Sequence, residues 1–163
     1  MFQKVKNAYT TENTRDMDYW LFQAGECIYD DLMKQNNRPE FFYHAARHFM
    51  NAVCLALCYE YRDTNQVQDT TDIIEFINTH LGMRDDGVSV MDHYFENLPA
   101  SEPAQWYHDT NKKVTGIEKN MIYIDTLKGL YDQVEKEENQ SNLELTSPVM
   151  ASTNKRQTDL EIG

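Results

Sequence analysis

Residues 38–62 read RPEFFYHAARHFMNAVCLALCYEYR, the one segment long and apolar enough to form the central helix of a core. Pro39 fixes φ where the first turn of a helix needs no N–H, and Glu40 just after it suits the positive end of the helix dipole. Phe42, Ala45, Ala46, Phe49, Val53, Ala56 and Leu57 recur at helical spacing, while Phe41, Met50, Ala52 and Leu55 widen the apolar arc. An arc this wide predicts burial on more than one side. What remains, Glu40, His44, Arg47, His48 and Asn51, is a narrow polar strip along one face, the candidate solvent or partner side.

Working outward, the segment before it predicts a helix over 16–35 with Trp20, Leu21, Ala24, Cys27, Ile28 and Leu32 as its apolar stripe, closed by Asn36 and Asn37 ahead of Pro39. Two helices joined by so short a turn pack as an antiparallel hairpin, which is the expected nucleus of the fold. Residues 1–15 read as a polar leader. After Arg62, a polar turn leads to a short helix over 71–80 with Ile73, Ile74, Ile77 and Leu81 on one side and Gly82 placed to cap it. Ser89 and Asp92 form a cap-like pair at the start of another short helix carrying Tyr94 and Phe95, and the linker MRDDGVS before it reads as a mobile loop. Ser101 or Glu102 opens a segment with Trp106 and Tyr107. A long helix is expected over 113–138, with Ile117, Met121, Ile124, Leu127, Leu130, Tyr131 and Val134 as its stripe. No run alternates at strand spacing. The predicted class is all-α: a compact helical bundle over 16–138 built on the hairpin, with polar extensions over 1–15 and 139–163.

A chain of 163 residues, 40% hydrophobic and 12% aromatic, is one domain of ordinary size with enough apolar surface for a core. Three cysteines without framework spacing and eight methionines fit a reducing compartment, so a cytoplasmic location is expected. No apolar run approaches the roughly 20 residues that cross a bilayer.

The net charge is −12 and unevenly spread. Phosphate neutralisation needs clustered Lys and Arg, so DNA binding is disfavoured. Asp69, Asp72, Glu75, Asp85, Asp86, Asp92 and Glu96 form the candidate acidic face, which would dock a basic partner protein by electrostatic steering. The plain alternative is a solvated surface that keeps the domain soluble.

Catalytic constellations do not assemble. The sequence holds no GxxxxGK or GxGxxG phosphate loop and no GxSxG elbow around a serine. His44 with His48 and Cys54 with Cys58 each have a helical ligand spacing, but at 100° per residue Cys54 lies about 240° round the helix from His48, so the two pairs cannot close one tetrahedron. No metal, cofactor or enzymatic activity is expected of this chain.

PEFFYHAARHFMNAV resembles the aromatic pair followed by AAR in the all-α domain of type IV coupling proteins, the hexameric ATPases of conjugation and type IV secretion. Around it, YWLFQAGECIYDDLM resembles the helix that leads in, DTTDIIEFINTHL a following short helix, VTGIEKNMIYIDTLKGLY a long later helix, and SPVMASTNKRQTDLEIG the return to the ATPase core. The resemblance implies an insertion within a larger ATPase anchored in the bacterial inner membrane, its Walker motifs lying elsewhere. It implies a position at the cytoplasmic mouth of the ring. There the domain would recognise protein cargo: a relaxase, relaxosome accessory proteins or effectors. A free-standing acidic helical adaptor or secretion chaperone is the alternative reading of the same residues.

Overall fold

In the computed structural model, which describes the backbone of residues 1–156 and the side chains of residues 1–143, the segment around PEFFYHAAR is a helix from Glu40 to Glu60. We number the helices α1 (Phe2–Thr10), α2 (Thr14–Asn36), α3 (Glu40–Glu60), α4 (Thr70–Thr79), α5 (Val90–Asn97), α6 (Ser101–Lys113) and α7 (Gly116–Arg156). The described residues contain no strand, only an isolated antiparallel bridge between Met83 and Ser89. The all-α expectation therefore holds. The chain divides into two units, Met1–Tyr131 and the residues from Asp132 onward.

Within the first unit α3 is the central element. Phe42, Ala45, Ala46, Phe49, Met50 and every residue from Ala52 to Cys58 are buried, as the wide apolar arc requires. Asn37 adopts a left-handed conformation (φ 51°) that stops α2 and turns the chain into Pro39. α2 and α3 then run antiparallel: Glu26 meets Tyr43, and Phe22 meets Arg47 further along. α6 covers α3 on another side, with Thr110 donating to the Ala45 carbonyl at 3.2 Å and Tyr107 buried beside Phe49. α1 and α4 also pack on α3, so four helices surround the central one.

Four expectations within the first unit need correction. The polar leader is instead α1, whose Phe2, Val5 and Ala8 are buried at helical spacing. Lys6 ties it down, donating to the Thr64 and Gln66 carbonyls at 3.2 and 2.5 Å. On α2 the buried stripe includes Met17, Tyr29 and Met33, while Cys27 is exposed. The loop over 82–89 is pinned, with Arg84 N donating to Val88 O at 2.8 Å and Val90 N to Gly82 O at 3.1 Å.

The fourth concerns α7. It starts later than expected because Thr115 and Glu118 form a reciprocal cap, Glu118 N to Thr115 Oγ1 at 3.2 Å and Thr115 N to Glu118 Oε1 at 2.9 Å. Its inward face is Ile122, Tyr123, Asp125, Thr126 and Leu130, whereas Ile117, Ile124 and Tyr131 of the expected stripe are exposed. Polar Asp125 and Thr126 can lie inward because Arg38 and Tyr29 bond to them, Tyr29 Oη and Thr126 Oγ1 standing 2.5 Å apart. Gly129 lies against the backbone of Ile28: a Cβ there would meet the Ile28 carbonyl oxygen and lie 2.7 Å from its Cγ2.

The second unit is helical to Arg156; of its described side chains, Gln133 and Val134 are half-buried and the others exposed, and Gln133 Nε2 donates to Glu137 Oε2 at 3.2 Å. Residues 139–156, read as an extended tail, are helical instead, although this stretch is rich in Asn, Ser and Thr and contains Pro148, residues of low helix propensity. The rest of the expected return connection, 157–163, lies outside the described residues.

Candidate functional site

The polar strip of α3 does two different jobs. Arg47 is a clamp between helices. Its Nη1 donates to Glu26 Oε2 at 3.1 Å and to Tyr43 Oη at 2.6 Å, and its Nη2 donates to the Phe22 carbonyl at 2.9 Å. The guanidinium sits over the Phe22 ring at 4.5 Å and fills the space a Cβ on Gly25 would occupy. Gly25 is therefore what lets α2 and α3 approach at this point. With both terminal nitrogens engaged, Arg47 holds the hairpin together.

His44, His48 and Asn51 lie with Asp18, Phe22 and Trp106 around an open groove of about 340 Å³ between α2, α3 and α6. His48 stacks edge-on to Trp106 at 4.8 Å, and its Nδ1 is buried without a hydrogen-bond partner. Burial, with Lys113 nearby, lowers its pKa, so the ring is held neutral near pH 7. Glu40 and His44 are both exposed, 3.9 Å apart at one end of the strip. Trp106 is the residue of this groove that the strip alone did not indicate; its partner His48 comes from a different helix, which spacing on α3 cannot show.

The seven candidate acids fall into three groups. Asp69 and Asp72 cap α4: Asp72 N donates to Asp69 Oδ1 at 3.2 Å, Asp69 N donates to Asp72 Oδ2 at 2.9 Å, and Thr71 Oγ1 donates to Asp69 at 2.6 Å. The Thr71 bond is the largest influence lowering the Asp69 pKa, while burial raises that of Asp72. Glu75 and Glu96 are exposed on α4 and α5, and Asp85 and Asp86 are exposed in the turn between these helices. Asp86 accepts from Val88 N at 3.1 Å and pairs with Arg84 at 3.3 Å; the backbone bond chiefly lowers its pKa.

Asp92 differs from the other six. It accepts from Tyr107 Oη at 2.5 Å and from Lys119 Nζ at 3.0 Å, and Tyr107 in turn meets Tyr123 Oη at 3.0 Å. Burial opposes its ionised form, but the bonds from Tyr107 and Lys119 outweigh that and hold its pKa below the usual carboxylate range. Burial likewise pushes Tyr123 up to about 12. This network of α5, α6 and α7 fixes three helices to one another, with Asp92 turned toward its partners. A sequence offers one clue to it, the Ser89 cap that places Asp92 in the first turn of α5, where Asp92 N donates to Ser89 Oγ at 2.9 Å.

Cys54 and Cys58, four residues apart on α3, are buried in the core, and burial raises both thiol pKa values, that of Cys58 to about 11. They lie away from His48, as the helical angle requires. Among the described residues no three His, Cys, Asp or Glu side chains come together as a metal set. No helix among them is long and apolar enough to cross a membrane. Compared with known protein families, curated proteins and solved structures, the chain matches none of them.

Proposed function

We propose that the chain is a docking domain for protein cargo, the cargo-recognition part of a type IV coupling protein. On this reading it receives a relaxase, relaxosome accessory proteins or effectors at the cytoplasmic mouth of an ATPase ring. The observation that carries the docking role is the state of the charges around the turn over 84–87. Asp85 and Asp86 are exposed there, and the nearest base in sequence, Arg84, is already paired with Asp86. Such a surface attracts a basic partner and repels phosphate backbones. The coupling-protein assignment rests on the resemblance of PEFFYHAAR and the helices around it. The segment's role in the fold fits that assignment: Ala45 and Ala46 let α3 pack closely, and the following Arg47 locks the preceding helix.

The test is the binding of purified relaxase, relaxosome accessory or effector proteins to this chain, with labelled single- and double-stranded DNA as the comparison, at low and moderate salt. The proposal expects protein binding that weakens steeply with salt, little DNA binding, and a lower association rate in Asp85→Lys/Asp86→Lys. Cargo binding indifferent to salt and to the charge reversal would refute the acidic docking surface. Tight, salt-sensitive DNA binding would refute the preference for protein.

A further inference from the structure

A pocket of about 180 Å³ lies between the end of α3, the turn that follows it and α4. Leu57 and Phe76 form its buried apolar side, and Tyr61, 41% exposed, adds a ring open to solvent. The only Asp, Glu, Lys or Arg in its lining are two acids, Asp72 and Glu75. Beside it is a recess of about 10 Å³, room for about one water, which shares Tyr61, Gln66 and Asp72 with the pocket and adds Gln68. Gln68 is only 5% exposed, yet its Oε1 has no hydrogen-bond partner among the described residues. A buried acceptor left without a donor is costly, and a ligand N–H, or a water held by one, supplies it.

The cations around this pocket are all engaged elsewhere. Between Arg47 and Lys112 the sequence has no Lys or Arg other than Arg62 and Arg84. Arg62 donates to the Tyr59 carbonyl at 2.5 Å and lies over the Tyr59 ring, and Arg84 is paired with Asp86. Lys6, which lines the recess, is buried and donates to the Thr64 and Gln66 carbonyls. Glu75 is exposed and forms no ion pair among the described residues. Burial raises the Asp72 pKa, and the negative charges of Asp69 and Glu75 add to it, as expected of a carboxylate that lacks a cation.

Resting on the docking role above, we infer that this pocket takes an arginine side chain of the protein cargo, its guanidinium on Tyr61 and against the carboxylates of Asp72 and Glu75. A guanidinium lies flat on an aromatic ring and carries five N–H donors. Those donors can serve two carboxylates and, directly or through one water in the recess, Gln68. An ammonium is a compact point charge with three donors and a tighter hydration shell, so lysine fits less well. Phosphate groups and anionic lipid meet the two acids and are repelled. In a second copy of the chain, Arg38, Arg47, Arg62 and Arg84 are engaged within the fold, which makes another copy the weaker source.

The probe is Nα-acetyl-arginine methylamide, titrated into the isotope-labelled full chain and followed by NMR, with the neutral citrulline analogue and the lysine analogue as comparisons. The same titrations are run on Tyr61→Ser/Glu75→Gln. Both substituted side chains are exposed, so unchanged circular dichroism and melting temperature are expected and are checked first. The proposal expects saturable shifts at the amides of Tyr61, Gln66 and residues 72–80 with the arginine probe, and none with citrulline. Lysine should bind about threefold more weakly, and the double variant should bind arginine about tenfold more weakly. Citrulline binding as well as arginine, or unchanged arginine affinity in the double variant, would overturn the pocket while leaving salt-sensitive cargo docking standing. Cargo that binds wild type and double variant alike would overturn the assignment of the pocket to cargo. Cargo that fails to bind wild type at all would remove the docking role on which that assignment rests. Self-association of the wild type that is lost in the double variant, seen by sedimentation, would make a second copy the occupant and also overturn the proposal.

Discussion

Arg38 grips Asp125 with two bonds, Nε to Oδ2 at 3.0 Å and Nη2 to Oδ1 at 3.3 Å, joining the turn between α2 and α3 to α7. The partners differ in exposure: the Asp125 side chain is 1% exposed and that of Arg38 22%. That asymmetry determines which deletion costs more. Arg38→Met strands a buried carboxylate and is expected to destabilise the first unit by about 3 kcal/mol. Asp125→Asn leaves a guanidinium that can still reach water and a neutral amide that can still accept one bond, so its cost is smaller. Urea unfolding of both single variants and the double variant measures the coupling. Equal costs for the two single variants would show that exposure does not control this pair.

Gly129 and Gly116, both on α7, should respond in opposite directions to alanine. At Gly129 the added methyl meets the carbonyl oxygen of Ile28, and backbone cannot yield as a flexible side chain does. The overpacking penalty, about 1–3 kcal/mol, outweighs the gain of nearly 1 kcal/mol in helix propensity, and α2 is pushed from α7. A net loss of about 1 kcal/mol, up to about 2, is expected. Nothing lies within 4 Å of a Cβ at Gly116, so Gly116→Ala stabilises by a few tenths of a kcal/mol up to about 1. Melting temperatures of the two variants, moving in opposite directions from wild type, check this contrast.

The same residues indicate how far the sequence could be read. α3 was legible because its apolar arc is long and continuous, and the hairpin with α2 followed from the short turn at Asn37 and Pro39. The Ser89 cap was legible because an N-cap is a local pattern. α1 was not: Phe2, Val5 and Ala8 are three apolar residues in a nine-residue helix, buried only because other helices cover them. The α7 face was misread because hydrophobicity favours Ile117 and Ile124, whereas burial follows Asp125 and Thr126, whose partners Arg38 and Tyr29 lie far away in sequence. For the candidate site, the polar strip was found but not its division between Arg47, which locks helices, and His48, which faces Trp106. Asp92 was grouped with surface acids because Tyr107 and Lys119 come from other helices.

His48 should make stability depend on pH in a range where the carboxylates do not. Burial and Lys113 lower its pKa, against the opposing pull of Asp109, so the folded state holds the neutral ring while the unfolded chain takes up a proton more readily. Its contribution is complete above the unfolded histidine value of about 6.5, is lost as pH falls through that value, and levels off below the folded pKa. The half-buried ring is partly screened by solvent, which keeps the effect below about 1 kcal/mol. Asp69 and Asp92, whose pKa values are lowered, lose their contribution only as pH falls below the ordinary carboxylate range near 4. Melting temperatures should therefore decline between about pH 7.5 and 5.5, and His48→Phe, which keeps a ring against Trp106 but cannot take up a proton, should flatten that decline. A decline of equal slope in His48→Phe would assign the dependence to other groups.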